Sequence, residues 1–344
     1  MMTQSSSVDA LFPEQSVVAI CPLNWGLGHA SRCIPLIHLA LKKGNEVIIA
    51  SDGQALVWLK REFPQLKFYE LPSYNVSYPY TSIVLNAVSN FYRITSAIFA
   101  ERKMMETIIR KEKIHFLLSD NRYGLQTVHC KTAFMCHQMH IYHPKKWLSK
   151  CINLVHQFFL KRSKSILIPD FEQEPGLAGL LSHQMPLSIR KRAFYTGPLT
   201  NLKIETAPNP SGILILLSGP EPQRTLLEDK LIDLFENTGE VDKITLIRGT
   251  EKPLLKTPAF RKIIDLASSE LVNQAINESK AIICRSGYST IMDLHNYQGK
   301  ILYIPTPGQT EQEYLSQLHA DGNKVFQVNQ SELNEKHLEE LLNQ

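Results

Sequence analysis

The sequence has few of the features that mark secreted or membrane-spanning proteins. Its first fifteen residues lack a basic segment and an apolar core, so they do not form a signal peptide and we expect a loose tail. No uninterrupted apolar run approaches the roughly 18 residues that span a bilayer. The six cysteines include no C-x-x-C pair, which favours reduced thiols over a disulfide framework. These absences predict a cytoplasmic protein.

A strong charge of one sign is also missing. The net charge is +4, which is too weak to argue for nucleic-acid binding, although it allows attraction to anionic lipids or phosphorylated substrates. We find no internal repeat and no low-complexity segment. With 344 residues, of which 43% are hydrophobic, the chain can bury a large core, and this length predicts two domains.

Short apolar strands alternate with helical segments along the chain, a pattern that predicts parallel sheets. A region rich in Pro, Asn and Gly at 197–212 is a natural domain boundary. We therefore predict an α/β protein with two doubly wound Rossmann-like domains. The predicted divisions are a tail at 1–15, a first domain at 16–199, a second domain at 200–328 and a C-terminal helix at 329–344.

The most informative stretch is 281–317. The apolar strand Ala281–Cys284 runs into the tight turn Arg285-Ser286-Gly287, and helical spacing follows. A helix start offers free N–H groups and a positive dipole end, which favour an anion such as phosphate. Asp293, two turns into this helix, could accept from the two hydroxyls of a ribose. A second strand, 300–304, then leads to a helix start that contains Gln312.

A Gly-rich loop also follows the first strand of the chain. The strand at 16–21 leads into a loop that ends in Gly26-Leu27-Gly28-His29-Ala30-Ser31-Arg32, and helical spacing follows. The two glycines let the backbone approach a ligand closely, and the helix start again offers donors. A G-x-G pair alone is weak evidence, but the full string is more specific.

These two loops, in this order, resemble nucleotide-sugar glycosyltransferases of the glycosyltransferase B (GT-B) fold. The resemblance is to the lipid-linked N-acetylglucosaminyltransferases of peptidoglycan synthesis and their uncharacterised relatives. It implies that Arg285-Ser286-Gly287 holds the donor diphosphate, that Asp293 binds ribose and that Gln312 touches the donor sugar. It also implies a cleft between the domains and a C-terminal helix that packs across the first domain. Asp293 stands where the family usually has Glu, and Gln312-Glu313 stands where it often has two Gln.

The first strand of the second domain ends in a further ligand-facing turn. The family has a Gly-rich turn there, whereas Pro220 and Pro222 remove two N–H donors from this chain. Arg224 could add charge, and Arg248 follows the next strand, with solvation at the surface as its alternative. The predicted donor-binding residues are Ser218, Gly219, Arg224, Arg248, Arg285, Ser286, Gly287, Ser289, Thr290, Asp293, Gln309 and Gln312.

His29 is the first candidate for catalysis. An imidazole with a near-neutral pKa can take the proton of an acceptor hydroxyl as that oxygen attacks the anomeric carbon. The alternative is that His29 only caps its helix or binds the acceptor. Asp120, at the end of a strand, is either a competing base, the group that orients His29, or a helix N-cap. The predicted acceptor-side residues are Asn24, Gly26, Gly28, Arg32, His137 and Gln138.

The stretch 129–143 contains four His and two Cys, enough soft ligands for zinc. The spacing argues against a metal, because a strand over 132–136 would place Cys130 and Cys136 at opposite ends. We favour the alternative that His137 and Gln138 line the acceptor side.

Two regions raise the question of a membrane surface. The helical region 81–113 carries apolar patches at 83–85 and 98–100, which are either ordinary core-facing positions or a surface for a lipid acceptor. The segment 145–162 is basic and aromatic, with Leu148, Ile152, Val155 and Phe159 on one face. Peripheral contact with the inner face of the membrane is therefore one alternative.

We predict an inverting glycosyltransferase that moves a sugar from a nucleoside diphosphate donor, a UDP-sugar by resemblance, to a hydroxyl acceptor, with a lipid-linked acceptor as one option. No cofactor, metal or nucleic-acid partner is expected, because the turn at Arg285 can hold the diphosphate and no D-x-D string is present. Two rivals are a nucleotide-sugar 2-epimerase and a non-catalytic nucleotide-sugar-binding protein, for which the prolines at 220 and 222 are the only hint.

Overall fold

The computed structural model describes residues 8, 10–74, 83–205, 207, 209–239, 241–254 and 256–342, without the side chains of 83–92. Most of the predicted tail and the predicted patch at 83–85 therefore lie outside the described residues and side chains. The chain forms two compact units. The first comprises Met1–His140, Lys150–Gly176 and Leu180–Leu199, and the second comprises Ile141–Ser149, Leu177–Gly179 and Thr200–Gln344.

The first unit is built on a seven-stranded parallel sheet. Its strands are β1 (Val17–Pro22), β2 (Glu46–Ser51), β3 (Lys67–Glu70), β4 (Phe116–Asp120), β5 (Lys131–Met135), β6 (Ile166–Ile168) and β7 (Ala193–Tyr195). They lie in the order β3-β2-β1-β4-β5-β6-β7. β1, β2, β4 and β6 are buried along most or all of their length, as expected where helices cover both faces of a parallel sheet.

Helices connect these strands. They are α1 (Leu27–Lys42), α2 (Gly53–Glu62), α3 (Ile83–Glu112), α4 (Lys146–Leu160), α5 (Leu180–His183) and α6 (Leu187–Arg190). The predicted helical region 81–113 contains one helix of 30 residues, α3. Its second half packs Met105, Ile108 and Ile109 into the core under β1 and β4. No helix in the described part of the chain is long and apolar enough to cross a membrane.

The second unit is built on a six-stranded parallel sheet. Its strands are β8 (Gly212–Leu216), β9 (Ile244–Ile247), β10 (Lys262–Ile264), β11 (Ser279–Cys284), β12 (Lys300–Tyr303) and β13 (Val325–Gln327), in the order β10-β9-β8-β11-β12-β13. Its helices are α7 (Gln223–Thr238), α8 (Ser269–Glu278), α9 (Tyr288–Leu294), α10 (Thr310–His319) and α11 (Glu335–Leu342). The two parallel α/β sheets confirm the predicted fold class.

The C-terminal helix α11 packs within the second unit. Leu338 and Leu341 are buried in the same cluster as Leu231 and Phe235 of α7 and Leu302 of β12. The packing of this helix across the first domain, which the resemblance implies, stays a prediction. Its apolar stripe is short, and Leu338 and Leu341 of this stripe pack into the core of the second unit.

The strand order fixes where loops meet. β1 has β2 on one side and β4 on the other, and β8 likewise lies between β9 and β11. At such a point the connections on the two sides leave the sheet in opposite directions. The carboxyl ends of β1 and β4, and those of β8 and β11, therefore border a crevice of the kind that binds ligands in α/β folds. In this chain His29, in the first turn of α1, and Asp120, the last residue of β4, lie at these ends in one unit, and Ser218 and Arg285 follow β8 and β11 in the other.

Candidate functional site

The Gly-rich loop of the first unit joins β1 to α1. Gly26 is the N-cap of α1 and has φ +81°, a left-handed conformation that favours glycine. Gly28 lies in the first turn of the helix. Asn24 is tied to the start of α2, because its Oδ1 accepts from the backbone N–H of Ala55 at 3.2 Å.

His29 and Asp120 are in contact, as one of the three alternatives for Asp120, that of a carboxylate that orients His29, requires. His29 Nδ1 lies 3.0 Å from Asp120 Oδ2. The first turn of α1 supplies the imidazole and the last residue of β4 supplies the carboxylate. The His29 side chain is 12% exposed, whereas Asp120 is fully buried.

Arg32 contacts both His29 and Asp120. It lies one turn after His29 on α1, and its guanidinium forms a two-pronged ion pair with Asp120, through Nε to Oδ2 at 2.8 Å and through Nη2 to Oδ1. Its Nη1 lies 3.3 Å from Nδ1 of His137, just beyond β5. Four predicted residues thus form one network. Because Arg32 is 1% exposed, its observed role is to position Asp120, and its direct contact with an acceptor stays a prediction.

The electrostatics of the network keep His29 neutral and Asp120 ionised. Burial and the Arg32 charge lower the pKa of His29, and together they outweigh the opposing effect of Asp120. Burial alone would raise the pKa of Asp120, but the charges of Arg32 and His29 and the hydrogen bonds from both lower it to about 2. A neutral imidazole beside a carboxylate has the protonation state that a general base needs.

The tautomer of His29 decides whether it can act as a base. With its proton on Nδ1, the ring donates to Asp120 and leaves the Nε2 lone pair for an acceptor hydroxyl. Nδ1 also lies 2.8 Å from Nη2 of Arg32, and accepting from that group would move the proton to Nε2. Only the first tautomer supports base catalysis.

Gln138 follows His137, and its backbone is anchored to α4. The Gln138 carbonyl accepts from Nε2 of His156 at 2.6 Å. Within the part of the chain that the structure describes, no three His, Cys, Asp or Glu side chains come together as a metal site.

In the second unit, Arg285 is the first residue after β11, and its side chain is buried. Nη1 donates to the carbonyls of Ile304 and Pro305, each at 3.1 Å. Nη2 donates to the Gln223 carbonyl at 2.7 Å and to Oε1 of Gln330 at 2.8 Å. Arg285 therefore ties together the loops that follow β8, β11, β12 and β13. Sequence reasoning missed Gln223 and Gln330, which carry no motif of their own.

The charge of Arg285 is not matched by a carboxylate among the described residues. The other deeply buried arginines, Arg32, Arg122, Arg224 and Arg248, each form an ion pair with Asp or Glu. Arg285 is equally buried, at 1% exposure, and burial lowers its pKa to about 10. An uncompensated buried guanidinium attracts an anion.

Unused hydrogen-bonding atoms surround the same turn. In the described part of the chain five buried side-chain polar atoms have no partner, and three of them are Arg285 Nε, Gln223 Oε1 and Thr306 Oγ1. A methyl group built on Gly219, which has φ +106°, would lie 3.9 Å from Thr306 Oγ1. The loops after β8 and β12 therefore approach each other beside Arg285, and Gly219 keeps the space between them open.

Hydrogen bonds link the remaining residues of this turn. Ser286 Oγ donates to the Gln312 carbonyl at 2.8 Å, and the Gln312 side chain accepts from the Thr306 backbone at 2.9 Å and donates to Gln309 Oε1 at 2.6 Å. Three predicted residues, Ser286, Gln309 and Gln312, are thereby brought together. Gly287 is the N-cap of α9, and Ser289 and Thr290 lie half-buried in its first turn.

Asp293 lies on α9, where its Oδ1 accepts from the Thr200 hydroxyl at 2.6 Å. Burial raises the pKa of Asp293 to about 7, and the Thr200 hydrogen bond offsets only part of that effect. Further hydroxyl donors would stabilise the ionised form of a carboxyl group buried in this way, which is the property expected of a ribose-binding residue. Ribose contact itself stays a prediction.

Arg224 and Arg248 are both engaged in ion pairs with Glu228. Arg248 donates to Glu228 through Nε at 2.7 Å and Nη2 at 3.0 Å, and its Nη1 lies 2.6 Å from Asp265 Oδ1. Arg224 contacts Glu228 and Glu221 at 3.1 Å and 2.8 Å. Their guanidinium groups link α7 to β9, and their contact with a donor stays a prediction.

Comparison with known proteins supports the family suggested by the two loops. Residues 239–344 match the glycosyltransferase family 28 C-terminal domain. An uncharacterised glycosyltransferase from Methanosarcina acetivorans is 23% identical over 317 residues, which cover 84% of this chain and 79% of that protein.

Solved structures share the architecture at low identity. MurG from Acinetobacter baumannii aligns with a TM-score of 0.55 and 14% identity, over 96% of this chain and 90% of its own. Phytolacca americana UGT2, solved with UDP-2-fluoro-glucose and pterostilbene, aligns with a TM-score of 0.59 and 13% identity, over 91% of this chain and 85% of its own. The domain match, the relative and the shared fold agree, and the chain is a glycosyltransferase of the GT-B fold.

Proposed function

We propose that this glycosyltransferase takes its sugar from a UDP-sugar and transfers it, with inversion and without a metal ion, to a hydroxyl group of the acceptor. The observation that carries the proposal is the buried, uncompensated guanidinium of Arg285, whose own Nε has no partner, beside two further unused polar atoms, Gln223 Oε1 and Thr306 Oγ1. A diphosphate would supply the missing negative charge and accept from the turn. The choice of UDP is supported by the Phytolacca americana enzyme of the same fold, which was solved with UDP-2-fluoro-glucose.

The transfer step uses the network of the first unit. The acceptor hydroxyl gives its proton to His29 Nε2 while its oxygen forms a bond to the anomeric carbon. On the opposite side of that carbon, the bond to the phosphate oxygen breaks and UDP leaves with the electron pair. Asp120 then faces an imidazolium, whose charge it stabilises through the 3.0 Å contact with Nδ1.

The leaving group is stabilised by fixed charge. In this proposal the positive charge of Arg285 and the N–H groups of the turn at Ser286 and Gly287 are in place before the bond breaks, so no metal is required for charge neutralisation. Asp293, with Thr200, accepts from the ribose hydroxyls. In this proposal the hydrogen-bonded pair of Gln309 and Gln312 contacts the donor sugar.

Calorimetric titration with UDP, GDP and dTDP, first without and then with divalent metal, tests the donor site. We expect micromolar binding of UDP without metal, at least tenfold tighter than that of the other two nucleotides. Arg285→Ala and Asp293→Ala should weaken it by about tenfold or more, since each removes a charge-assisted contact. Arg190→Ala is the matched control, because Arg190 is an exposed arginine paired with Glu172 in the first unit.

Thermal unfolding of each variant shows whether it is folded. Absence of binding by any nucleotide to the folded wild type would contradict the proposed donor site. Binding only in the presence of metal would contradict the metal-independent mechanism and leave the donor site in place.

A further inference from the structure

A side chain of the Gly-rich loop caps the start of α2. That helix begins at Gly53, and its N-cap residue, Asp52, makes no capping hydrogen bond with its own side chain in the described part of the chain. Asn24 takes this role from 31 residues before Ala55: its Oδ1 accepts from the Ala55 backbone N–H at 3.2 Å. A capping side chain normally comes from the residue that immediately precedes the helix. The cap of α2 therefore ties the Gly-rich loop to that helix.

The amide group of Asn24 is enclosed on its other sides as well. Its Nδ2 donates to Asp52 Oδ2 at 3.4 Å. A methyl group built on Gly53 would stand 3.0 Å from Asn24 Cγ and closer still to Nδ2. A carbon atom can occupy that place only if the amide moves away. Glycine at position 53, with φ +51°, therefore leaves the space in which the Asn24 side chain lies.

A buried arginine holds the carboxylate that Asn24 contacts. Arg122 is fully buried, and its Nη1 donates to Asp52 Oδ1 at 2.6 Å. Its Nε pairs with a second buried carboxylate, on α3. Breaking a buried ion pair is costly, so the groups around the Asn24 amide occupy fixed positions. Arg122 also lies two residues after Asp120, and the anchor of the loop is thereby joined to the strand end that carries the orienting carboxylate.

Between Asn24 and His29 the loop is open. Trp25 is 61% exposed, and no described atom lies within 4 Å of the position that a side chain on Gly26 would take. α1 begins at Leu27 without a side-chain cap from the described residues, and His29 lies in its first turn. Helix ends without a cap fray, so the residue that holds the preceding loop decides how firmly His29 is placed.

We infer that Asn24 is a positioning residue for the transfer reaction. By capping α2, its amide sets the path of residues 25–28 and holds the first turn of α1, so that His29 meets the acceptor hydroxyl in one orientation. The inference rests on the proposed role of His29 as the base. A displacement of about 1 Å at a reacting group can lower the rate by roughly 10²-fold, so release of the amide affects turnover more than folding.

Two substitutions release the amide, and each has a matched control at the opposite end of the sheet, in the turn before β2. Asn24→Ala removes both hydrogen bonds. Its control is Asn45→Ala, because Asn45 is a buried asparagine whose amide oxygen and nitrogen also bond backbone groups. Gly53→Ala displaces the amide with a methyl group. Its control is Gly44→Ala, because Gly44 has φ +73° and its methyl group would lie 3.7 Å from the nearest described atom.

Turnover separates positioning from stability, with thermal unfolding to verify that each variant is folded. We expect Asn24→Ala and Gly53→Ala each to lower kcat for transfer, measured as UDP release, by about 10 to 10²-fold, with the Kd for UDP unchanged. Both controls should keep the wild-type kcat. The double variant Asn24→Ala/Gly53→Ala should be no slower than Asn24→Ala, because the methyl group acts only through the amide. Equal kcat in a variant and its control, or additive losses in the double variant, would overturn the inference.

The fluorescence of Trp25 tests the anchor without any substrate. In a Trp147→Phe background the remaining tryptophans are the exposed Trp25 and the buried Trp58, so acrylamide quenches mainly Trp25. Release of the amide should add a nanosecond decay of anisotropy to the quenchable emission, and the controls should not. Identical decays in all variants would show that Asn24 does not hold the loop.

The variant His29→Ala, measured in the same turnover assay, keeps two failures apart. If it is slow while Asn24→Ala is as fast as wild type, the positioning inference fails and the proposed base stands. If His29→Ala is itself as fast as wild type, the proposed base fails and the positioning inference fails with it.

Discussion

At the scale of single residues, His29 is where the proposed chemistry can be separated from donor binding. Replacing His29 by Ala removes the base, and general-base catalysis contributes roughly 10² to 10⁴-fold. We therefore expect kcat for transfer to fall by about that factor, while the Kd for UDP, measured by calorimetry, stays unchanged because His29 lies in the first unit. An undiminished rate would remove His29 from the mechanism.

The pH profile of the same reaction checks the role of Asp120. Burial and the Arg32 charge lower the pKa of His29, so the wild-type rate should rise with pH, reach half its maximum below pH 6.5 and be flat at neutrality. Asp120→Asn should lower the plateau, and combining it with His29→Ala should lower it no further, because the two groups act as a unit. Circular dichroism verifies that each variant is folded.

Some of these contacts could be predicted from the sequence, and others could not. His29 follows β1 and Asp120 ends β4. In a doubly wound sheet these two strands are neighbours, as they are here, so the β-α pattern predicts that their carboxyl ends meet. The partner of Arg32 was not predictable, since a basic residue in a helix gives no sign of which carboxylate it pairs with. Gln330 was missed because it reaches Arg285 from 45 residues away.

At the scale of elements, Glu228 joins α7 to β9 through two buried arginines. Replacing Glu228 by Ala leaves Arg224 and Arg248 without their buried carboxylate, and breaking a buried pair costs about 3 to 5 kcal/mol. Asp265→Ala is the control, because Asp265 is 58% exposed and an exposed pair contributes about 0 to 1 kcal/mol. Urea unfolding followed by circular dichroism measures the free energy of unfolding of both variants. Equal losses of stability would show that the buried ion pair contributes no more than the exposed one.

The strands and helices differ in how well the pattern of apolar residues in the sequence predicted them. Long apolar strands such as β1, β4 and β11 were predicted because a fully buried parallel strand is apolar without interruption. β10 was not predicted, since it is a three-residue edge strand that pairs only with β9. The sequence predicted an apolar face on α4, but periodicity cannot tell whether such a face points into the protein or out of it. Val155, assigned to that face, proves to be exposed, whereas Ile152 and Phe159 are half-buried.

At the scale of the whole molecule, the division into two units arises from contacts that composition does not report. The predicted boundary near residue 200 lies where the Pro- and Gly-rich segment begins. Two short segments, Ile141–Ser149 and Leu177–Gly179, nevertheless belong to the second unit. The Tyr142 ring lies 5.2 Å from that of Tyr314, and His319 Nε2 donates to the Leu177 carbonyl at 2.7 Å. Such long-range contacts have no local signature in the sequence.

The two separate cores predict how a donor nucleotide stabilises the protein. UDP at 100 times its Kd adds about 2.7 kcal/mol to the unit that binds it, which corresponds to a rise of roughly 5 to 10 °C in the midpoint of unfolding. In scanning calorimetry we expect this shift in the transition of the second unit and little change in that of the first, since Arg285 and Asp293 lie in the second.

Tryptophan fluorescence identifies the two transitions. Of the three tryptophans, Trp25 and Trp58 lie in the first unit, where Trp58 is buried, and a Trp147→Phe background removes the third, which belongs to the second unit. The transition that UDP moves should therefore be the one that fluorescence does not follow, and Arg285→Ala should abolish its shift. A UDP-dependent shift in the fluorescence transition alone would place the nucleotide in the first unit and contradict the donor site proposed at Arg285.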